Sequence, residues 1–164
     1  MSVSNIEKLF HEELSDLYSA EHQITKALPK MVKAASNSQL QSALEHHLRE
    51  TEGQVQRLEQ IFKAVGERSS SKTCEGMKGV IEEGERMLKS TEEGEIRDLA
   101  IISSAQRVEH YEMAAYGTVR TYAERLGKQQ VVQLLEQTLE EEKAADQKLT
   151  SIAEQVYHHV ARAA

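Results

Sequence analysis

The sequence has one cysteine, one proline, no tryptophan and only two phenylalanines in 164 residues. The lone Cys74 excludes an intramolecular disulfide and any zinc site built from several thiolates, and it suits a reducing, cytoplasmic compartment. One proline and eight glycines are too few for the turn-rich sandwich, barrel or disulfide scaffold. No run of about eighteen apolar residues occurs. The opening stretch MSVSNIEKLFHEELSDLYSA carries charges throughout, so neither a membrane span nor a secretory signal is expected. Basic charge is also short: 20 Lys and Arg against 27 Asp and Glu give a formal charge of −7, which disfavours an electrostatic grip on nucleic acid. Abundant Ala, Leu, Glu, Gln, Lys and Arg are strong helix formers, so the expectation is an all-α fold in a single domain over residues 1–164.

Apolar residues recur at steps of three and four through Ile6, Leu9, Phe10, Leu14, Leu17, Ile24, Leu28 and Met31, which predicts a helix A over 4–35. Pro29 falls inside it and predicts a local irregularity near Thr25. Ser36, Asn37 and Ser38 supply turn and capping chemistry. Helix B follows over 38–65 through Leu40, Leu44, Leu48, Val55, Leu58, Ile61 and Phe62, with Gly66 as its terminator. Residues 67–94 form a crossover in which Met77, Val80, Ile81, Met87 and Leu88 suit one short helix. Helix C is expected over 95–126, ending at Gly127, and helix D over 128–160 through Val131, Leu135, Leu139, Leu149, Ile152 and Val156. Short A–B and C–D connections predict two antiparallel hairpins, and the long B–C connection joins them in the plan of a ferritin-like four-helix bundle.

Polar residues interrupt the core-facing stripes. Glu21 lies between Leu17 and Ile24; His47, Glu50 and Gln54 precede Leu58; Glu109 and Glu112 precede Tyr116; Thr138 and Glu142, with Ala145 or Asp146, precede Leu149. Counted from the A–B turn at Asn37, Glu21 is 16 residues before and Glu50 is 13 after, about 24 and 20 Å along the axes. Counted from Gly127, Glu112 and Glu142 are each 15 residues away, about 22 Å. The acids therefore meet at one level. Buried carboxylates in one place must share protons, recruit water or hold cations, and acids with a few imidazoles suit iron or manganese.

The strings ELSDLYSAEHQITKALPKM, HLRETEGQVQRLEQIF, VEHYEMAAYGTVRTYAERLG and LEEEKAADQKLTSIA closely resemble the YciF-type stress-response family of bacterial ferritin-like proteins over nearly the whole chain. The resemblance implies a homodimeric, cytoplasmic, rubrerythrin-related bundle with a dinuclear metal centre, and no settled reaction. The broader ferritin-like pattern expects Glu from A, Glu-x-x-His from B, Glu from C and Glu-x-x-His from D. Glu21 fits the first position. Glu50 is followed by Gly53 where His is expected, leaving His47 as the replacement. Glu109 and Glu112 make Glu-x-x-Glu, and Glu142 is followed by Ala145, with Asp146 one further on. The site is richer in carboxylate and poorer in imidazole than the general pattern.

The expected ligands for two iron or manganese ions are thus Glu21, Glu50, Glu109, Glu112 and Glu142, with His47 and Asp146 as supplementary ligands. The small oxidant would be peroxide or oxygen. His110 points about 100° around helix C from Glu109, as a partner or interface residue would. A phenol on helix A or C, from Tyr18, Tyr111, Tyr116 or Tyr122, is expected to hydrogen-bond to a core acid. Glu140 to Glu142 and Glu82 to Glu85 read mainly as solvated runs, since 29% of the chain is charged. A competing expectation is a helical dimer with a structural or interaction role, whose buried acids hold no functional metal; the two missing histidines favour it.

Overall fold

Every long stretch with a three-and-four apolar period becomes a helix in the computed structural model, which describes residues 3–163. The helices are α1 (Ile6–Ala34), α2 (Ser38–Val65), α3 (Glu75–Ser90), α4 (Glu95–Arg125) and α5 (Gln129–Ala163), and no strand occurs among the described residues. None of these helices is long and apolar enough to cross a membrane. Pro29 lies on the exposed side of α1, and the helix runs through it unbroken.

Capping fixes the connections. Asn37 precedes α2 and accepts from the Gln39 and Leu40 amides at 2.9 and 3.1 Å, closing the three-residue turn after α1. Gly66 takes a left-handed conformation with φ 75°, and the Glu67 amide reaches back to the Phe62 carbonyl at 3.0 Å. The α4–α5 turn repeats this with Gly127 at φ 69° and Lys128 bonded to the Ala123 carbonyl at 2.9 Å; a side chain at either glycine would be strained. A further tie comes from α4, where buried Asp98 accepts from the Ser36 and Asn37 amides at 2.7 and 3.0 Å. It fastens one hairpin turn to the start of the next hairpin.

The long helices pack as α1 on α2, α4 on α5, α1 on α4 and α2 on α5, while α3 lies against α4 and α1. Cys74 caps α3 through its thiol, which accepts from the Met77 amide at 3.4 Å and lies 3.1 Å from the Tyr111 hydroxyl. The Cys74 amide donates to Ser19 Oγ at 2.9 Å, so the crossover is held to α1 at that point.

Two apolar clusters fill the interior. One gathers Ile24, Leu28, Leu40, Leu44, Ile101, Ile102, Leu149 and Ile152; the other gathers Leu14, Leu17, Leu58, Ile61, Val119, Val131 and Leu135. Along α2, α4 and α5 the buried residues between them are mainly polar: His47, Thr51, Gln54, Glu109, Glu112, Thr138 and Glu142. Glu21 joins them from α1, where the two clusters adjoin.

Candidate metal centre

Each of the long helices delivers its polar residue by the same rule: a core position one or two turns from a leucine or isoleucine carries an acid or imidazole. His47, Glu109, Glu112 and Glu142 can each offer a ligand atom so that all of these lie within 4.8 Å of one another, and all four residues are buried. His47 Nε2 stands 3.2 Å from Glu109 Oε1, in an orientation that makes no hydrogen bond.

Protein partners satisfy only part of this layer. The Tyr116 hydroxyl donates a short hydrogen bond to Glu21 Oε1. Gln54 Nε2 does the same for Glu142 Oε1 and also reaches Glu141 Oε2 at 3.1 Å. Arg57, with 12% of its side chain exposed, forks onto Glu141 at 2.9 and 3.0 Å and donates to Thr138 Oγ1. Left buried without a partner are both Glu112 oxygens, one oxygen each of Glu21, Glu109 and Glu142, and both ring nitrogens of His47. Orphaned groups of this kind are rare in folded proteins and costly.

Burial pushes Glu21, Glu109 and Glu112 well above the ordinary carboxylate range, and the neighbouring Glu142 reinforces each shift. Burial also raises Tyr116, with the Glu21 charge adding to it. In the absence of a cation these groups favour sharing protons over standing ionised together. Three carboxylates and one imidazole form a hard, oxygen-rich donor set with open positions, which fits iron or manganese.

Other expected ligands lie outside the four-residue group. Glu21 is buried and close enough to influence Glu112 and Glu142, but it is held by Tyr116. Glu50 sits at the rim with 24% of its side chain exposed, 3.1 Å from His46 and 3.9 Å from His47 Nδ1; the neighbouring imidazole of His47, followed by that of His46, holds its carboxyl below the usual value against the opposing effect of burial. On α2 the inward sequence is His47, Thr51, Gln54, so Thr51 takes the core position and Glu50 is turned aside. Asp146 follows the same logic one residue past Ala145. It turns toward α4, where Gln106 donates to it at 3.0 Å and His110 approaches at 3.4 Å. Of the four tyrosines considered, Tyr116 reaches a core acid, Tyr18 bonds to Glu59 at 3.1 Å and Tyr111 faces Cys74.

Arg57 and Glu141 were not legible as parts of the site, because Glu141 stands in a run that reads as solvated. The available signal was spacing: Arg57 follows Gln54 by three residues, on the same helix face.

A family model described as Domain of unknown function (DUF892) matches residues 5–162. Protein YciF of Escherichia coli strain K12 is 47% identical over 154 residues, 93% of this chain and 93% of its own length. The crystal structure of that organism's stress protein YciF superposes with a TM-score of 0.92 at 46% identity, over 95% of this chain and 99% of the other. The YcfI protein of Rhodopseudomonas palustris follows with a TM-score of 0.88 and 43% identity, covering 91% of this chain and 95% of its own. A Xanthomonas campestris protein with 17% identity and a TM-score of 0.76 over 96% of this chain and 97% of its own shares the fold alone.

Proposed function

The chain belongs to the family described as Domain of unknown function (DUF892), and on that footing we propose that it is a ferritin-like stress-response protein whose buried polar layer holds iron or manganese. The single observation behind this reading is Glu112: its side chain is wholly buried and no hydrogen-bond donor reaches either oxygen among the described residues. A carboxylate in that condition costs several kcal/mol unless it is protonated or bound to a cation. His47, Glu109, Glu112 and Glu142 would hold one ion, and Glu21, buried beside Glu112 and Glu142, would serve a second. In this reading α1, α2, α4 and α5 are the four-helix bundle, α3 belongs to its crossover, and the working form is a cytoplasmic homodimer.

Bound iron or manganese would supply reversible electron transfer and a Lewis-acidic position for peroxide or oxygen. The chain's own residues do the positioning. Tyr116 holds one oxygen of Glu21 and Gln54 holds one oxygen of Glu142, leaving the second oxygen of each free. Arg57 braces Glu141 beside Glu142 and, through Thr138, ties α2 to α5. The apolar clusters on either side close the layer off along the length of the helices. Reduction of peroxide and oxidation of ferrous iron are the two reactions that suit this arrangement.

Untagged protein purified without chelators should carry iron or manganese by inductively coupled plasma mass spectrometry, and Glu21→Ala, Glu142→Ala protein should not. Equal, negligible metal in both after anaerobic ferrous reconstitution would sink the reading. It would then favour a structural or interaction role, which the cross-bracing of Gln54 and Arg57 also suits and which the printed description of the Rhodopseudomonas relative suggests for that protein.

A further inference from the structure

The α2–α5 interface is clasped at one end and open at the other. At the clasped end Gln54 and Arg57 of α2 reach Thr138, Glu141 and Glu142 of α5. Beyond the level of the buried acids a groove of about 730 Å³ lies between the two helices. Its cause is local sequence: Ala43 on α2 and Ala144 and Ala145 on α5 stand on its walls, and side chains of one carbon cannot fill the space between two helices. His47 and Glu109 belong both to the groove lining and to the four-residue buried group. His47 is 6% exposed, and neither ring nitrogen has a hydrogen-bond partner.

Charge along the groove changes sign. Arg49 and Lys148 are exposed on its walls. Glu50, the acid on the same side, is engaged by His46 at 3.1 Å, and no ion pair joins it to either cation among the described residues. The inner end is acidic, with Glu109 and the carboxylates behind it. Arg49 and Lys148 at the mouth and the acids at the inner end attract ions of opposite sign, so neither sign of ion is favoured along the whole route. An uncharged solute is indifferent to this change of sign.

We infer that the open half of the α2–α5 interface is the entrance through which a small uncharged solute of peroxide size reaches the buried carboxylates, with His47 the residue it meets at the inner end. The route's purpose rests on the proposed metal centre; its existence does not.

The test is acylation of metal-free protein by diethyl pyrocarbonate, itself uncharged, read histidine by histidine with fragment-resolved mass spectrometry. His47 should react in the wild type, and Ala145→Phe should slow it by about tenfold or more, as expected when reaction must wait for a local opening of the helices. Ala43→Phe, from the opposite wall, should do the same. His110, exposed on α4 outside the groove lining, should keep its rate in both variants, which confines the effect to the groove; unfolding would speed His47 rather than slow it. An unreactive His47 in the wild type, or one whose rate neither phenylalanine changes, overturns the entrance. Repeating the reaction with cobalt(II) separates the two readings: protection of His47 supports the metal centre, while a plug effect without protection removes the metal centre and leaves the entrance standing.

Discussion

Glu112 has no protein partner for either oxygen, and burial followed by the charges of Glu142 and Glu21 raises its carboxyl well above the ordinary value. The unfolded chain titrates this group near its reference value of about 4.3. Between that value and the raised native one, the folded protein holds more protons than the unfolded chain, so metal-free stability falls as pH rises through this window. This is the reverse of the usual salt-bridged acid. Glu112→Gln keeps the shape and removes the ionisation. In metal-free form it should melt above the wild type at about pH 7.5, by ~1–3 kcal/mol, the usual cost of an unsatisfied buried polar group. The advantage should narrow toward about pH 5, where the unfolded chain's carboxyl also takes up its proton and the difference in bound protons disappears. Thermal melts of chelator-treated protein across that range decide it; a gap that does not change with pH would show that Glu112 carries no charge burden.

At the scale of elements, the tie from Asp98 to the α1–α2 turn is the clearest single contact between the two hairpins. Its carboxylate accepts two backbone amides, from Ser36 and Asn37, and it stands in the first turn of α4, where the helix dipole favours negative charge. Asp98→Ala should cost about 2–4 kcal/mol in urea unfolding, because bonds to charged acceptors contribute more than neutral ones and both amides lose their partner. Asp98→Asn, which keeps one acceptor and turns an NH₂ toward the other amide, should fall between; an alanine variant as stable as wild type would show that water replaces the carboxylate at no cost. Nothing in the sequence marked Asp98, since an acid in the first turn of a helix is ordinary there. The glycine stops at Gly66 and Gly127 were legible because their left-handed backbone leaves a chemical signature. The stripes were legible because a buried helix face repeats at 3.6 residues. Rotation within a stripe was not: Glu50 and Thr51 both fit the spacing from His47, and only the packing of α2 selects Thr51.

For the molecule as a whole, the level at which the acids meet could be counted from the two turns, because helix rise is constant. The pairing of Arg57 with Glu141 could not, since it depends on the register of α2 against α5, two helices separated in the chain by the crossover and α4. That register places a charged layer where two apolar clusters would otherwise merge. The metal-free protein therefore carries a weak layer across its middle, and a cation bound only by the native state should repair it. At a free metal concentration of about a hundred times Kd the gain is ~2.7 kcal/mol. For a chain of this size that raises Tm by about 5–10 °C. Calorimetry of wild-type protein with manganese(II) should show this rise, and Glu112→Gln and Glu142→Ala should each lose most of it while His110→Ala, outside the layer, keeps it. If wild type and both layer variants shift alike, manganese binds elsewhere on a surface of net negative charge. The buried acids are then a proton-sharing layer, and Glu112→Gln should be the more stable protein with or without metal.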